Sequence, residues 1–287
     1  MADMDESYEA RVGAGGAGMG AGRRALLRRA SLFAAGAGVG AAGFAELANV
    51  ADRKLPLRPS PAGATDSRRG PHPGRGQLLV TWAVETDQKL AALTFDDGWR
   101  PEWTTLVLDT LQRYGVPATF FMVGRRVRKY PEVLRGRMGR HEIGNHTWDH
   151  LDLARRTPDE AYADLLRAHE AIVDVTGQTP RLARPPYGHM GGSAALAAAR
   201  LDYQVVFWSL QMVESRYPND PLGHARFVVE HTEPGGILLA HDIGAADRLV
   251  ALRGLPEMIT GLRARGFELV TVSQLMSVRR APPDIYG

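Results

Sequence analysis

The sequence predicts an α/β fold, a distorted (β/α)7-type barrel, on three observations. Short runs rich in β-branched and aromatic residues alternate with helical stretches from Gln77 to about residue 280. Some of these runs, such as Ala118-Thr119-Phe120-Phe121-Met122-Val123-Gly124, are apolar throughout, as strands covered on both faces are. Residues able to do chemistry fall at or just past the C-terminal ends of the runs, where a barrel gathers its site.

Ahead of that domain the chain has a different character. Residues 1–50 begin acidic, turn Gly/Ala-rich, and carry Arg23-Arg24 and Arg28-Arg29 before the weakly apolar stretch Ala30 to Ala48. A basic segment before such a stretch is the pattern of an export signal, and the paired arginines resemble the twin-arginine type, which implies transient contact with export machinery. A membrane anchor is the alternative, though so Gly-rich a stretch makes a poor spanning helix. Residues 51–76 are Pro-, Gly- and Arg-bearing, without an apolar period, and read as a flexible linker; residues 281–287 read as a tail. Residues 1–75 hold 11 Lys and Arg against 7 Asp and Glu, so the basic balance of the 287-residue chain, net +3, belongs to this start. The neutral domain argues against a nucleic-acid footprint. With no cysteine, thiol nucleophiles, disulfides and Cys-ligated metals are excluded, and any metal site is made of His, Asp and Glu.

The elements follow in order. Strands are expected at Leu78 to Val84 and Leu90 to Phe95, around a turn at Glu85-Thr86-Asp87-Gln88. A helix at Thr105 to Tyr114 has leucines at helical spacing and stops at Gly115. After the strand at 118–124, helices are expected at Pro131–Met138 and Pro158–Thr176, and a strand near Leu182-Ala183-Arg184. The remainder alternates: helix Ser193–Arg200, strand Gln204–Leu210, helix Leu222–Thr232, strand Gly236–Ala240, helix Leu249–Arg265 and strand Phe267–Val272.

Four stretches carry candidate chemistry. Leu93-Thr94-Phe95-Asp96-Asp97-Gly98 ends a strand on two carboxylates that leave in different directions, so one can hold a metal while the other acts as a base; a helix-capping turn is the plainer reading. His146 and His150, four apart, would share one face of a helical turn, as metal ligands or as two surface histidines. In Arg184-Pro185-Pro186-Tyr187-Gly188 the prolines stiffen a strand-end loop and fix an arginine and an aromatic, or simply make a rigid turn. His189 follows as a candidate groove contact. Gly235 to Asp242 is a buried strand ending on His241, which is either catalytic or a satisfied structural histidine.

Together and in this order, the four stretches resemble the polysaccharide deacetylases of the NodB-homology type, carbohydrate esterase family four, across residues 78–275. The resemblance implies that Asp97, His146 and His150 bind a divalent metal, with Zn²⁺ suited to the donors and Co²⁺, Ni²⁺ or Mn²⁺ also compatible. It implies that Asp96 is the general base, kept ionised by Arg184, and that His241 is the general acid. The backbone N–H of Tyr187 would help stabilise the oxyanion, and Leu239 would line a slot for the acetyl methyl group. Where the family writes Asp-x-x-Asp-Trp, this chain has Gln211, Glu214 and Ser215, so Glu214 stands where an acid orients His241. Trp99 replaces the usual Pro after Asp-Asp-Gly.

The expected activity is that of a hydrolase of carbon–nitrogen bonds other than peptide bonds. It would remove acetyl groups from N-acetylglucosamine-type sugars of peptidoglycan or chitin-like polymers, outside the cytoplasm near the cell wall. An O-acetyl esterase acting on xylan and a glycan-binding wall protein without turnover are the alternatives; oligomeric state is left open.

Overall fold

The computed structural model describes residues 78–98 and 101–278. The leader 1–50, the linker 51–76, Gln77, Trp99 and the tail 281–287 lie outside the described residues.

The strands are β1 (Val80–Thr81), β2 (Leu90–Asp97), β3 (Thr119–Met122), β4 (Glu142–Asn145), β5 (Leu182–Ala183), β6 (Gln204–Val206), β7 (Leu210–Gln211), β8 (Gly236–His241) and β9 (Glu268–Val270). They form one sheet in the order β1-β6-β5-β4-β3-β2-β8-β7, with β9 also paired to β2. Every pairing between named strands is parallel. The sheet curls because β6 and β7 belong to one stretch, 204–211, whose start pairs with β5 and whose end pairs with β8. The predicted α/β barrel-type class is the observed one: parallel strands curl into an incomplete barrel with helices outside.

The helices are α1 (Pro101–Tyr114), α2 (Gly124–Lys129), α3 (Pro158–Thr176), α4 (Gly192–Arg200), α5 (Pro221–His231), α6 (Ala246–Arg253), α7 (Leu255–Ala264) and α8 (Val272–Ser277). Two-residue alternation on β2 explains the layers. Ala91, Leu93 and Phe95 face the main core, which they share with Val107, Leu111, Ile259 and Leu262 of α1 and α7. Ala92 faces a second core within the curl with Phe121, Leu182, Val206 and Ile237. By the same alternation Thr94 and Asp96 continue the inner row, so the central strand delivers a carboxylate to the inside of the sheet's C-terminal end.

Several expected elements are corrected. The strand at Leu78 to Val84 shrinks to two residues, with an isolated antiparallel bridge from Ala83 to Gly236. Gln204–Leu210 divides into β6 and β7. Pro131–Met138 is a single 3-10 turn, Pro131–Val133, because Gly136 sits at φ +75° and ends any helical continuation. Leu249–Arg265 is two helices parted at Gly254, since Pro256 has no N–H to bond back into the preceding turn. Two short helices, α2 and α8, went unanticipated. The last strand covers only Glu268–Val270, because Thr271 and Gln274 form a capping box that starts α8.

Candidate metal and catalytic site

Asp97 ends β2 at φ +78° and Gly98 follows at +60°, so two left-handed residues turn the chain out of the sheet. Asp242, the residue after β8, clamps that turn: it accepts from Gly98 N at 2.9 Å and from the Thr104 hydroxyl at 2.6 Å. Burial pushes the Asp242 carboxyl up to about 6, against those two hydrogen bonds.

The two histidines arrive on a loop, not on the helical turn expected from their spacing. Thr147 (φ +71°) and His150 (φ +57°) are both left-handed. Side chains hold this loop: Asn145 Oδ1 accepts from Thr147 N at 2.8 Å, and Asp164 Oδ1 accepts from Trp148 N at 2.7 Å. Within the loop, His146 Nδ1–H donates to the Arg184 carbonyl at 2.7 Å, which leaves Nε2 as the free lone pair. Burial lowers His146 to about 4, so the ring is neutral, the form a metal binds.

Asp97, His146 and His150 each offer a ligand atom, and these atoms lie within 4.8 Å of one another. His150 Nε2 is 3.0 Å and His146 Nε2 3.8 Å from Asp97 Oδ1. That oxygen is buried and receives no well-aligned hydrogen bond. A buried carboxylate oxygen facing two imidazole nitrogens fits a divalent cation, and one carboxylate with two imidazoles suits zinc among the borderline metals. Burial raises the Asp97 pKa, but His150, Arg126 and His241 outweigh it and hold the group well below the usual carboxylate range.

Asp96, the adjacent carboxylate, points inward to Arg184, which is fully buried. Arg184 Nη1 reaches Asp96 Oδ1 at 2.6 Å and Thr94 Oγ1 at 2.8 Å, Nε reaches the Val206 carbonyl at 3.0 Å, and Nη2 the Phe207 carbonyl at 2.9 Å. Its guanidinium also lies 4.0 Å over the Phe121 ring. So many fixed partners make Arg184 a rigid cation under one oxygen of Asp96; the other, Oδ2, is 3.8 Å from His146 Nε2.

On the other flank β8 ends at His241, whose Nδ1–H donates to Glu214 Oε1 at 3.2 Å. The glutamate therefore reaches the histidine despite its extra methylene, from the 3-10 turn Glu214–Arg216. Burial lowers the His241 pKa, but bonding to Glu214 prevails over it and over Arg248, and the net shift is upward. Glu214 moves the opposite way: burial raises it, and His241 brings it below the usual value. Leu239, two residues before His241, is buried on the same side of the strand. Gln211 and Ser215 are exposed, so no aromatic wall stands where Ser215 is.

Tyr187 takes the left-handed conformation at φ +62°, and its hydroxyl accepts from His150 Nδ1 at 3.2 Å. That hydroxyl contact was missed in the sequence, where only the backbone N–H was considered. Also missed were Arg126 and Arg248, which approach Asp97 Oδ1 and Oδ2 at 3.7 Å each. Arg126 belongs to the basic stretch Gly124–Lys129, whose helical character the pattern did not reveal.

Comparison with known proteins gives the family and the fold. Residues 83–206 match the family model described as polysaccharide deacetylase. A peptidoglycan-N-acetylglucosamine deacetylase of Bacillus cereus is 35% identical over 199 residues, covering 69% of this chain and 92% of its own. Two other relatives, the peptidoglycan deacetylases PgdA of Listeria monocytogenes and PdaC of Bacillus subtilis, are longer, and the chain spans 39% and 41% of their length. Among solved structures, the Bc1960 peptidoglycan N-acetylglucosamine deacetylase superposes with a TM-score of 0.65 at 27% identity, covering 70% of this chain and 95% of that one. A CE4 family pseudoenzyme from Bacillus anthracis gives the same TM-score at 23% identity over 71% of each chain, a likeness of fold.

Proposed function

The chain belongs to the polysaccharide deacetylase family, and on that footing we propose that it hydrolyses the N-acetyl group of N-acetylglucosamine-type sugars, in peptidoglycan or chitin-like polymers, to acetate and a free amine. It is a hydrolase acting on carbon–nitrogen bonds. The observation that carries the metal-dependent reading is the convergence of Asp97, His146 and His150 beside a second carboxylate clamped by a buried arginine, and the choice of an N-acetylated sugar is supported by the named deacetylase relatives.

A divalent ion held by Asp97, His146 and His150, zinc by the nature of the donors, would polarise the acetyl carbonyl and acidify a water. With Oδ1 of Asp96 occupied by Arg184, Oδ2 is the oxygen left to take the proton from the attacking water. His241, its Nδ1 pinned by Glu214, would deliver a proton from Nε2 to the departing nitrogen as the carbon–nitrogen bond breaks. Tyr187, through its backbone N–H, would meet the charge that develops on the carbonyl oxygen, and Leu239 would receive the methyl group. The basic, Gly/Ala-rich leader and the Pro-bearing linker support a domain exported to the cell wall, carried there by a twin-arginine route.

Acetate release from N-acetylglucosamine oligomers and from acetylated xylan, after chelation and zinc add-back, tests the proposal. Chelator-sensitive release from the oligomers is expected. Release from xylan alone would move the assignment to an O-acetyl esterase, and none from either would overturn it.

A further inference from the structure

Just beyond the metal-site tyrosine the structure holds a second polar arrangement that the deacetylation chemistry does not use. His189 follows two successive left-handed residues, Tyr187 (φ +62°) and Gly188 (φ +66°). A left-handed bulky residue is costly and persists only where its surroundings impose it. Here Pro185 and Pro186 stiffen the approach, and Gly188 lies so close to Trp208 that a Cβ would stand 2.9 Å from its ring. The turn thereby carries His189 out beside Tyr187, with ring centroids 5.7 Å apart.

Asp152 holds the histidine from the other side. His189 Nδ1–H donates to Asp152 Oδ2 at 3.0 Å. The carboxylate is itself fixed, because Oδ1 accepts from Ala154 N at 3.1 Å and Arg155 Nε lies 3.2 Å from Oδ2. With the proton on Nδ1, Nε2 carries a lone pair, and it makes no hydrogen bond to protein among the described residues. The His189 side chain is 37% exposed. From His150 to Tyr187 to His189 the ring centroids step 4.8 and 5.7 Å, which caps the separation of the two histidines at 10.5 Å. A sugar next to the one whose acetyl group sits at the metal site would meet His189 within that span.

We propose that His189, oriented by Asp152, is a glycan subsite residue whose Nε2 accepts a hydrogen bond from a hydroxyl or amide N–H of the sugar adjacent to the one deacetylated. This rests on the deacetylase reading and names the feature of the substrate that reading leaves open: the site takes a chain of sugars and grips a second ring. A donor from substrate satisfies an acceptor that otherwise meets only water, and orienting one ring from its neighbour improves the placement of the acetyl group.

The test is His189→Asn, which keeps a group near the Nδ1 position for Asp152 but removes Nε2. On the tetramer of N-acetylglucosamine, kcat/KM should fall about five- to tenfold, mainly through KM, as loss of one substrate hydrogen bond implies. Hydrolysis of 4-nitrophenyl acetate, which has no second ring, and zinc affinity should both stay at wild-type values. Asp152→Ala, which frees the ring, should reproduce part of the loss on the tetramer. Equal loss on both substrates, or none on the tetramer, overturns the subsite. Wild-type inactivity on every acetylated glycan would instead overturn the deacetylase reading beneath it.

Discussion

Arg184 shows how one buried cation organises several strands. It leaves β5, bonds to the carbonyls of the last residue of β6 and the one after it, and reaches Thr94 and Asp96 on β2, without exposure to solvent. Removing one partner of a buried ion pair leaves the other charge stranded, typically at a cost of about 3–5 kcal/mol. Arg184→Met should therefore lower the unfolding free energy by roughly that amount in urea titrations, as well as activity. Glu214 acts through proton affinity instead. An acid catalyst works while protonated, so rate falls as pH rises through its pKa, and Glu214 raises that pKa at His241. Glu214→Gln should move the basic limb of the kcat/KM profile to lower pH, with a greater loss at pH 8 than at pH 6; an unchanged limb would remove Glu214 from that role. Residue types and order made the candidate set readable from sequence. Exact partners were not readable: nothing in Arg126 or Arg248 as letters says that both approach Asp97.

Elements were legible in proportion to their local signals. For α3 both ends are written in the chain: Thr157 and Glu160 form a capping box, Pro158 starts the helix and Gly177 closes it in the left-handed conformation. Thr157→Ala should cost about 1 kcal/mol in thermal or urea unfolding. The sequence placed strands at the positions of β1, β5 and β7, but that each pairs over only two residues is imposed by its neighbours and has no local pattern. The metal loop misled for a similar reason. A spacing of four suggests a helix, but the backbone bonds are replaced by side-chain bonds from Asn145 and Asp164, contacts made by tertiary structure. On β4, Gly144 packs against Phe121, where a Cβ would stand 2.4 Å from the ring. Gly144→Ala should destabilise by about 1–3 kcal/mol, the usual range for overpacking, and a stability equal to wild type would contradict the packing described.

For the whole molecule, the alternation of strand and helix was sufficient to predict a parallel barrel-type sheet, because strands covered on both faces need helices between them. Its curl was less legible, since it depends on the stretch 204–211 changing partners midway. Buried titratable groups make stability depend on pH across the domain. Burial lowers His141 to about 4, from an ordinary 6.5 in the unfolded chain. A depressed histidine leaves stability intact above pH 6.5 and erodes it as pH falls toward 4, because only the unfolded state takes up the proton. Asp242, raised to about 6, opposes this, since below pH 6 the folded state binds its proton first. Denaturant unfolding at pH 7 and pH 5 should show a loss attributable to His141 of about 2 kcal/mol, absent in His141→Asn.

The account depends most on three side chains, drawn from β2 and from the loop after β4, sharing one cation. Zinc titration by calorimetry on metal-stripped protein and Asp97→Ala, with acetate release measured on the same samples, tests this directly. Wild type should bind one zinc ion per chain tightly and regain activity with it, while Asp97→Ala should lose both. Tight zinc binding or deacetylation by the alanine variant at the wild-type level would contradict the account.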